Sequence, residues 1–327
     1  MTGLLAIFGL LLFGIGLDLI SGDDSSDDEG EGDLIFADDA GGFLEGGDGN
    51  DTIIGGEGRD ELSGNAGDDI LRGGIGQDTL RGNDGNDHLF GDNGSDSLIG
   101  NAGNDTLEGG NGRDALRGFS GNDSLLGGDW HDTLGGGADD DFARGGNGND
   151  FIAGGSGEDT LWGDDGNDEV FGNIGDDILL GNLGRDVLAG GEGNDSIYGM
   201  ADSAEDGMLG ASDLDQRDTI EGGAGDDALF LGNDDLATGG IGADAFVGGV
   251  WVDPGSPGQV LDYNPAEDTL AVIYDPATTS SPVITISDPG DGSAVVALNG
   301  DAVLQVVGAA GTVSAGDVAL VAQTLGP

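Results

Sequence analysis

The chain has no cysteine, no lysine and few aromatic residues. Without cysteine, disulfides contribute nothing, and cysteine usage does not report on redox compartment. All eight basic residues are arginine, set against 65 acidic ones, and the formal net charge is −57. A polymer this acidic repels nucleic acid and anionic lipid headgroups, which makes both poor partners and favours divalent cations. Only 11 Phe, 3 Trp and 3 Tyr stand among 327 residues, beside 72 glycines. Such charge with so few aromatics argues for disorder, unless small units stack into a core that none could make alone.

Catalytic vocabulary is missing too. The only two histidines, His88 and His131, fall inside repeats at outward or loop positions, and no HExxH stretch exists. There is no G-x-S-x-G elbow. Residues 248–327, the only stretch outside the repeats long enough for a catalytic domain, contain neither histidine nor cysteine. The sequence therefore reads as non-enzymatic.

What the chain does have is repetition. From Gly46 to Tyr198 a nine-residue phrase runs 17 times without insertion or deletion, as in GGDGNDTII (46–54). The first position is always glycine and the sixth is always aspartate. The fourth is glycine in 15 units, Trp130 and Asp139 being the exceptions, and the eighth is Leu, Ile or Val except at Ala143. The glycine-rich half reads as a tight turn that presents carbonyls, because glycine tolerates positive φ and close backbone approach. The other half reads as a short strand whose middle residue points inward while its neighbours face out. Two phrases close a flattened coil of 18 residues, and coils stacked at ~4.8 Å give a roll about 40 Å long.

Carbonyls and carboxylates together suit calcium, which takes six to eight hard oxygens in flexible geometry. Residues 46–198 hold 33 acidic and 7 basic residues, so a roll without counter-ions would repel itself strongly. Ions would lie in two rows along the roll's edges, each shared between a turn and the turn two units on. That sharing leaves on the order of 15 full sites for Ca2+.

The phrase resembles the glycine-rich nonapeptide of repeats-in-toxin (RTX) proteins. The resemblance implies an all-β fold, a calcium-loaded parallel β-roll, with sixth-position aspartates and turn carbonyls such as those of Gly47 and Gly49 as ligands. Carried over, the metal-binding aspartates are Asp51, Asp60, Asp69, Asp78, Asp87, Asp96, Asp105, Asp114, Asp123, Asp132, Asp141, Asp150, Asp159, Asp168, Asp177, Asp186 and Asp195. Asp227 and Asp244 join them from later copies. The departure at Gly127–Arg144 predicts a turn widened by Trp130, a core thinned at Ala143 and the loss of a site touching those turns.

Around the array, 21–45 reads as an acidic linker with degenerate first repeats, in which Asp33, Ile35 and Leu44 keep phase. Residues 199–247 read as interrupted further repeats, with an insertion at GMADSAEDGMLGAS. Residues 248–327 read as a small C-terminal β-meander capping the roll, with alternating runs at 270–274, 283–287, 294–298 and 302–307. Asn299–Gly300 is its hairpin signal and Asp291–Gly292 a second turn. The ending DVALVAQTLGP resembles the uncleaved type I export signal of RTX proteins. Residues 1–20 contain an apolar run, 3–20, read as a helix that associates with membrane, acts as a signal, or packs on the roll or another subunit. Two functional expectations follow. One is a secreted or cell-surface calcium-binding module with a structural or adhesive role. The alternative is an exported toxin-like or enzyme-associated protein acting through its C-terminal domain or by membrane insertion.

Overall fold

The computed structural model describes residues 19–21, 32–37, 41–199, 216–309 and 311–323. Strands follow one another at the phrase's own pace, and through the array successive strands alternate between two sheets of 15 strands each. Thr52–Gly58 pairs in parallel with Ile70–Gly76 in the first sheet, and Glu61–Ala66 with Thr79–Asp84 in the second. Through the array each partner lies 18 residues away, Ile53 on Leu71 and Leu62 on Leu80. Two phrases therefore make one coil. The result is an all-β parallel solenoid with no α-helix among the described residues.

The burial pattern explains why one fixed apolar residue per phrase is enough. In Thr106–Asn111 the eighth-position Leu107 is fully buried while Thr106 and Glu108 are half-exposed. The same position forms one column per sheet: Ile53, Leu71, Leu89 and Leu107 in the first, Leu62, Leu80, Leu98 and Leu116 in the second. Each leucine removed from water contributes about 1.5–3 kcal/mol, but only because the coils above and below complete its surroundings.

The array's irregular region keeps its register. Trp130 takes φ 86° and Asp139 φ 74°, so both adopt the left-handed backbone that glycine supplies elsewhere. The Trp130 N–H donates to the Asn147 carbonyl at 2.6 Å, and its side chain is 62% exposed. The expected widening leaves no trace in the pairing: the strand before the turn keeps its register, Asp129 on Asn147, while the departure is confined to φ at Trp130, 86° against 147° at Gly112 one coil earlier. Ala143 is fully buried in register between Leu125 and Leu161.

At the N-terminal side the roll starts before Gly46. Leu34–Phe36 pairs with Thr52–Ile54, and Ile35 and Leu44 are buried. The segment 3–20, expected as a helix, lies outside the described residues except for Leu19 and Ile20. Those two are not helical; they belong to the strand Leu19–Ser21, laid in parallel on Leu34–Phe36. A strand edge with unpaired amides and carbonyls gives them backbone partners that a helix end would not. Among the described residues no helix is long and apolar enough to cross a membrane. The insertion at 199–212 lies outside the described residues except for Gly199, and the ladder resumes across it with Leu188 beside Ile220.

Both ladders run past Val247. Thr269–Tyr274 adds in parallel to Ala245–Gly249, and Val318–Ala322 adds in parallel to Thr269–Tyr274. In the other sheet Gly258–Val260 follows Leu236–Ile241, and Asp301–Val306 follows Gly258–Val260. The expected meander is thus confined to three antiparallel strands, Ile284–Ser287, Ala294–Leu298 and Asp301–Val306. The run at 270–274 belongs to the parallel ladder, because its alternation suits a strand buried on both faces as well as a meander. Asn299 and Gly300 both have positive φ, 56° and 104°, as a two-residue hairpin loop requires.

Candidate metal centre

Each phrase turns the chain through a left-handed residue at its second position, and most through another at the fourth: Gly47 and Gly49 in the first copy, Asn65 and Gly67 in the third. This folds the backbone over the next aspartate. All 19 aspartates named from the sequence are buried, none above 3% exposure, and they stack in two rows. One row runs Asp51, Asp69, Asp87 to Asp195, Asp227 and Asp244; the other runs Asp60, Asp78, Asp96 to Asp186.

Within each row the two carboxylate oxygens have different surroundings. Oδ1 accepts the backbone N–H of the aspartate one coil earlier, as Asp105 does from Asp87 at 2.8 Å and Asp150 from Asp132 at 2.7 Å. Oδ2 is buried and receives no donor in any phrase from Asp69 to Asp195, nor at Asp51 or Asp227. A buried, unpartnered carboxylate oxygen costs several kcal/mol, so a long run of them indicates a missing partner.

That oxygen faces space kept clear by the first-position glycine. A Cβ on Gly64 would lie 2.0 Å from Asp69 Oδ2 and 2.9 Å from the carbonyl oxygen of Gly82, one coil on. In the other row a Cβ on Gly145 would meet Asp150 Oδ2 at 2.5 Å and the Gly163 carbonyl at 2.8 Å. The invariant first glycine thus lets a carboxylate oxygen and a backbone carbonyl from adjacent coils converge. Among the described residues no three His, Cys, Asp or Glu side chains come together as a metal cluster. The donor set is instead carboxylate plus carbonyl, all oxygen, which suits calcium.

The electrostatics agree. Burial pushes the Asp69 carboxyl up to about 7, with repulsion from Asp87 and Asp51 adding to it. Asp132 and Asp141 also rise to about 7 and Asp168 to about 8, in each case from burial first and neighbouring aspartates second. The N–H bond to each Oδ1 works in the opposite direction and is outweighed. Rows of carboxylates this uncomfortable as anions favour a cation beside them.

The irregular turns keep these features. Asp123 donates to Asp141 Oδ1 at 2.8 Å, and the Oδ2 atoms of Asp132 and Asp141 are as bare as their neighbours'. The expected loss of a site at Gly127–Arg144 finds no counterpart in these donors. The rows change character further on. Asp235 is buried in the second row, but its Oδ2 accepts the Gly232 N–H at 2.6 Å. Beyond Asp244, the amides of Gly239 and Gly240 donate to the two oxygens of Asp262 at 2.9 and 3.1 Å. Asp244 itself donates to Asp268 Oδ1 at 3.2 Å. Sequence reasoning missed Asp235, Asp262 and Asp268. The phrases DLA (235–237) and DTL (268–270) carry an aspartate two residues before a buried apolar one, which was the available signal. His131, placed as a repeat variant, accepts the Asn149 N–H on Nδ1 at 2.5 Å.

Against known proteins, the model of the RTX calcium-binding nonapeptide repeat matches nine stretches that together cover 45–203 and 212–235, just over half of the chain. A search of curated proteins finds no significant match.

Proposed function

The chain belongs to the RTX calcium-binding nonapeptide repeat family, and on that premise we propose that it is a non-catalytic, secreted or cell-surface module whose roll folds when calcium binds. The observation that carries this reading is the unbroken run of buried, donor-less Oδ2 atoms from Asp69 to Asp195. When bound, calcium supplies positive charge and a shared coordination centre between adjacent coils. The chain's own residues do the rest. The aspartates present Oδ2, the first-position glycines keep the space open, and the Oδ1 bonds to the preceding coil hold each carboxylate in place. With sharing between neighbouring coils, the array would hold on the order of 15 ions.

Without calcium, glycine entropy and charge repulsion oppose the roll, so metal-binding free energy acts as folding free energy. Extracellular calcium modules work at about 10⁻⁴–10⁻³ M, far above resting cytosolic levels, so the chain would remain loose inside a cell and stiffen outside it. A rigid rod formed only after export fits a structural or adhesive role. The test is circular dichroism of the full chain in EGTA and in millimolar calcium. A large gain of β signal on adding calcium, reversed by chelator and not reproduced by magnesium, is the expected result. Equal spectra in both conditions would overturn the reading.

A further inference from the structure

The outer faces of the two sheets differ. In the first sheet the seventh and ninth positions face outward, and from Ser124 to Val247 neither column contains a carboxylate. The ninth-position column reads Leu126, Arg144, Trp162, Leu180, Tyr198 and Phe230, in register from strand to strand. Its only charge, Arg144, is paired with Asp164 and lies 5.1 Å from the centre of the Trp162 ring. Phe142 meets Trp162 edge-on at 5.7 Å, and Tyr198 stacks on Phe230 at 4.4 Å. The second sheet interrupts the same columns with Glu169 and Glu221. Two outward columns with no acidic residue of their own, where Asp164 enters only as the partner of Arg144, are not what solvation alone would select on a chain of net charge −57.

The window has defined ends. Glu108 closes it on the N-terminal side. On the C-terminal side the chain covers it itself: Trp251, 3% exposed, and Val252 pack with Val247, Ile273 and Phe230, and the indole N–H donates to the Leu231 carbonyl at 3.0 Å. The last step of the column is therefore already an apolar contact, and the half-buried part continues from it.

We propose that this face pairs two calcium-loaded rolls, face to face, through a second copy of the chain. The inference rests on the calcium-dependent roll argued above. Charge selects this occupant: neutral windows can meet while the acidic turns, with their ions, stay at the outer edges. A two-fold axis over the middle of the column sets Leu126 of one copy opposite Phe230 of the other, and Trp162 opposite Leu180. It also sets Arg144 opposite Tyr198, which gives the only charge in the window an aromatic face. Six strands at ~4.8 Å and the three residues from the seventh to the ninth position at ~3.3 Å make a face of about 300 Å². Two such faces bury about 600 Å², less than a standard specific interface, so a weak pairing with a dissociation constant on the order of 100 μM is expected.

Sedimentation velocity on the full chain in calcium tests this, with Trp162→Glu and Leu180→Glu as window variants and Phe151→Glu, on the second sheet, as control. Circular dichroism in calcium is run first on all four proteins. A parent that gains no β structure there defeats the calcium-folding reading itself, whereas a folded parent puts only the dimer on trial. The expected result is a parent dimer, lost in EGTA, weakened at least tenfold by either window variant and unchanged by the control. The second window variant serves if the first fails to fold. A parent that stays monomeric at about 1 mM overturns the proposal. So does association that persists in EGTA or ignores both window variants, since that points to another part of the chain. Binding of a monomeric parent to phosphatidylcholine vesicles, abolished by Trp162→Glu, would assign the window to lipid instead.

Discussion

Replacing Asp105 by asparagine should change stability in opposite directions with and without calcium. Asparagine keeps an oxygen where Oδ1 accepts the Asp87 N–H at 2.8 Å, and its own N–H can still reach Asp123 Oδ1 at 2.7 Å. What changes is Oδ2, the buried atom without a donor, which becomes an uncharged amide nitrogen. In calcium this removes a charged ligand from the sites flanking that turn. At about 1.5–3 kcal/mol for a charge-assisted contact, the calcium midpoint should rise roughly tenfold. Without calcium the balance reverses. Burial already pushes the Asp105 carboxyl above its ordinary range, so removing the charge relieves the metal-free roll. The variant should then unfold at slightly higher urea than the parent in EGTA at neutral pH, wherever the parent shows residual structure. Glu108→Gln, on the outer surface, should stay within about 0.5 kcal/mol in both conditions. The assay is a pair of urea titrations followed by circular dichroism, one in calcium and one in EGTA. Equal calcium midpoints for Asp105→Asn and Glu108→Gln, or destabilisation of Asp105→Asn in both media, would refute the assignment of Oδ2 to the metal.

In EGTA, acidification should strengthen the roll: carboxyls such as Asp87 and Asp168 titrate at about 6 and about 8 when folded, against 3.8 ordinarily. Their stabilising contribution is full below the ordinary value and is lost as pH rises through 6–8, so β signal should fall over that window and calcium should restore it. Leu107→Ala, at a fully buried site between two coils, should cost about 2–5 kcal/mol by calcium-saturated urea unfolding, and a cost under 1 kcal/mol would contradict the single-column core. A chain ending at Val247 loses the strands that pair with Leu236–Ile241 and Ala245–Gly249 and the Trp251 cover, so its calcium titration should shift upward and lose cooperativity. Curves superimposable on the parent's would make the C-terminal region a passenger.

The roll was legible because its constraints are local and repeated. A glycine that must be bare, an aspartate that must close a turn and a leucine that must point inward recur every nine residues, so 17 copies give the same reading. The ends were harder to read because no repeat averages over them. Asp268 takes the row position after Asp244 at a spacing of 24 residues, where the array uses 18. Asp262 closes the first-row amides with a carboxylate where the array uses carbonyls. Neither shows as a nine-residue match. The strand at Thr269–Tyr274 carried a real β signal but no information on partner or direction, since alternation alone cannot separate a parallel addition from a hairpin.

Trp130 and Asp139 show why the array resists local irregularity. A non-glycine residue in the left-handed region costs on the order of 1 kcal/mol, and from the sequence Trp130 is expected to widen its turn. Deforming it would break more than that. The Trp130 N–H bond to Asn147 and the Asp132 bond to Asp150 both span to the next coil, and the turn also sets the register of Leu125, Ala143 and Leu161. Several hydrogen bonds at about 1 kcal/mol each, together with a buried apolar column, outweigh one strained φ. The strain is therefore absorbed at the residue and not passed to its neighbours. The same reasoning explains how 199–212 can be inserted: the ladder resumes with Asp186 donating to Asp218 Oδ1 at 2.7 Å, 32 residues apart instead of 18. In a stacked array the coil on either side, more than the local sequence, decides where the backbone goes.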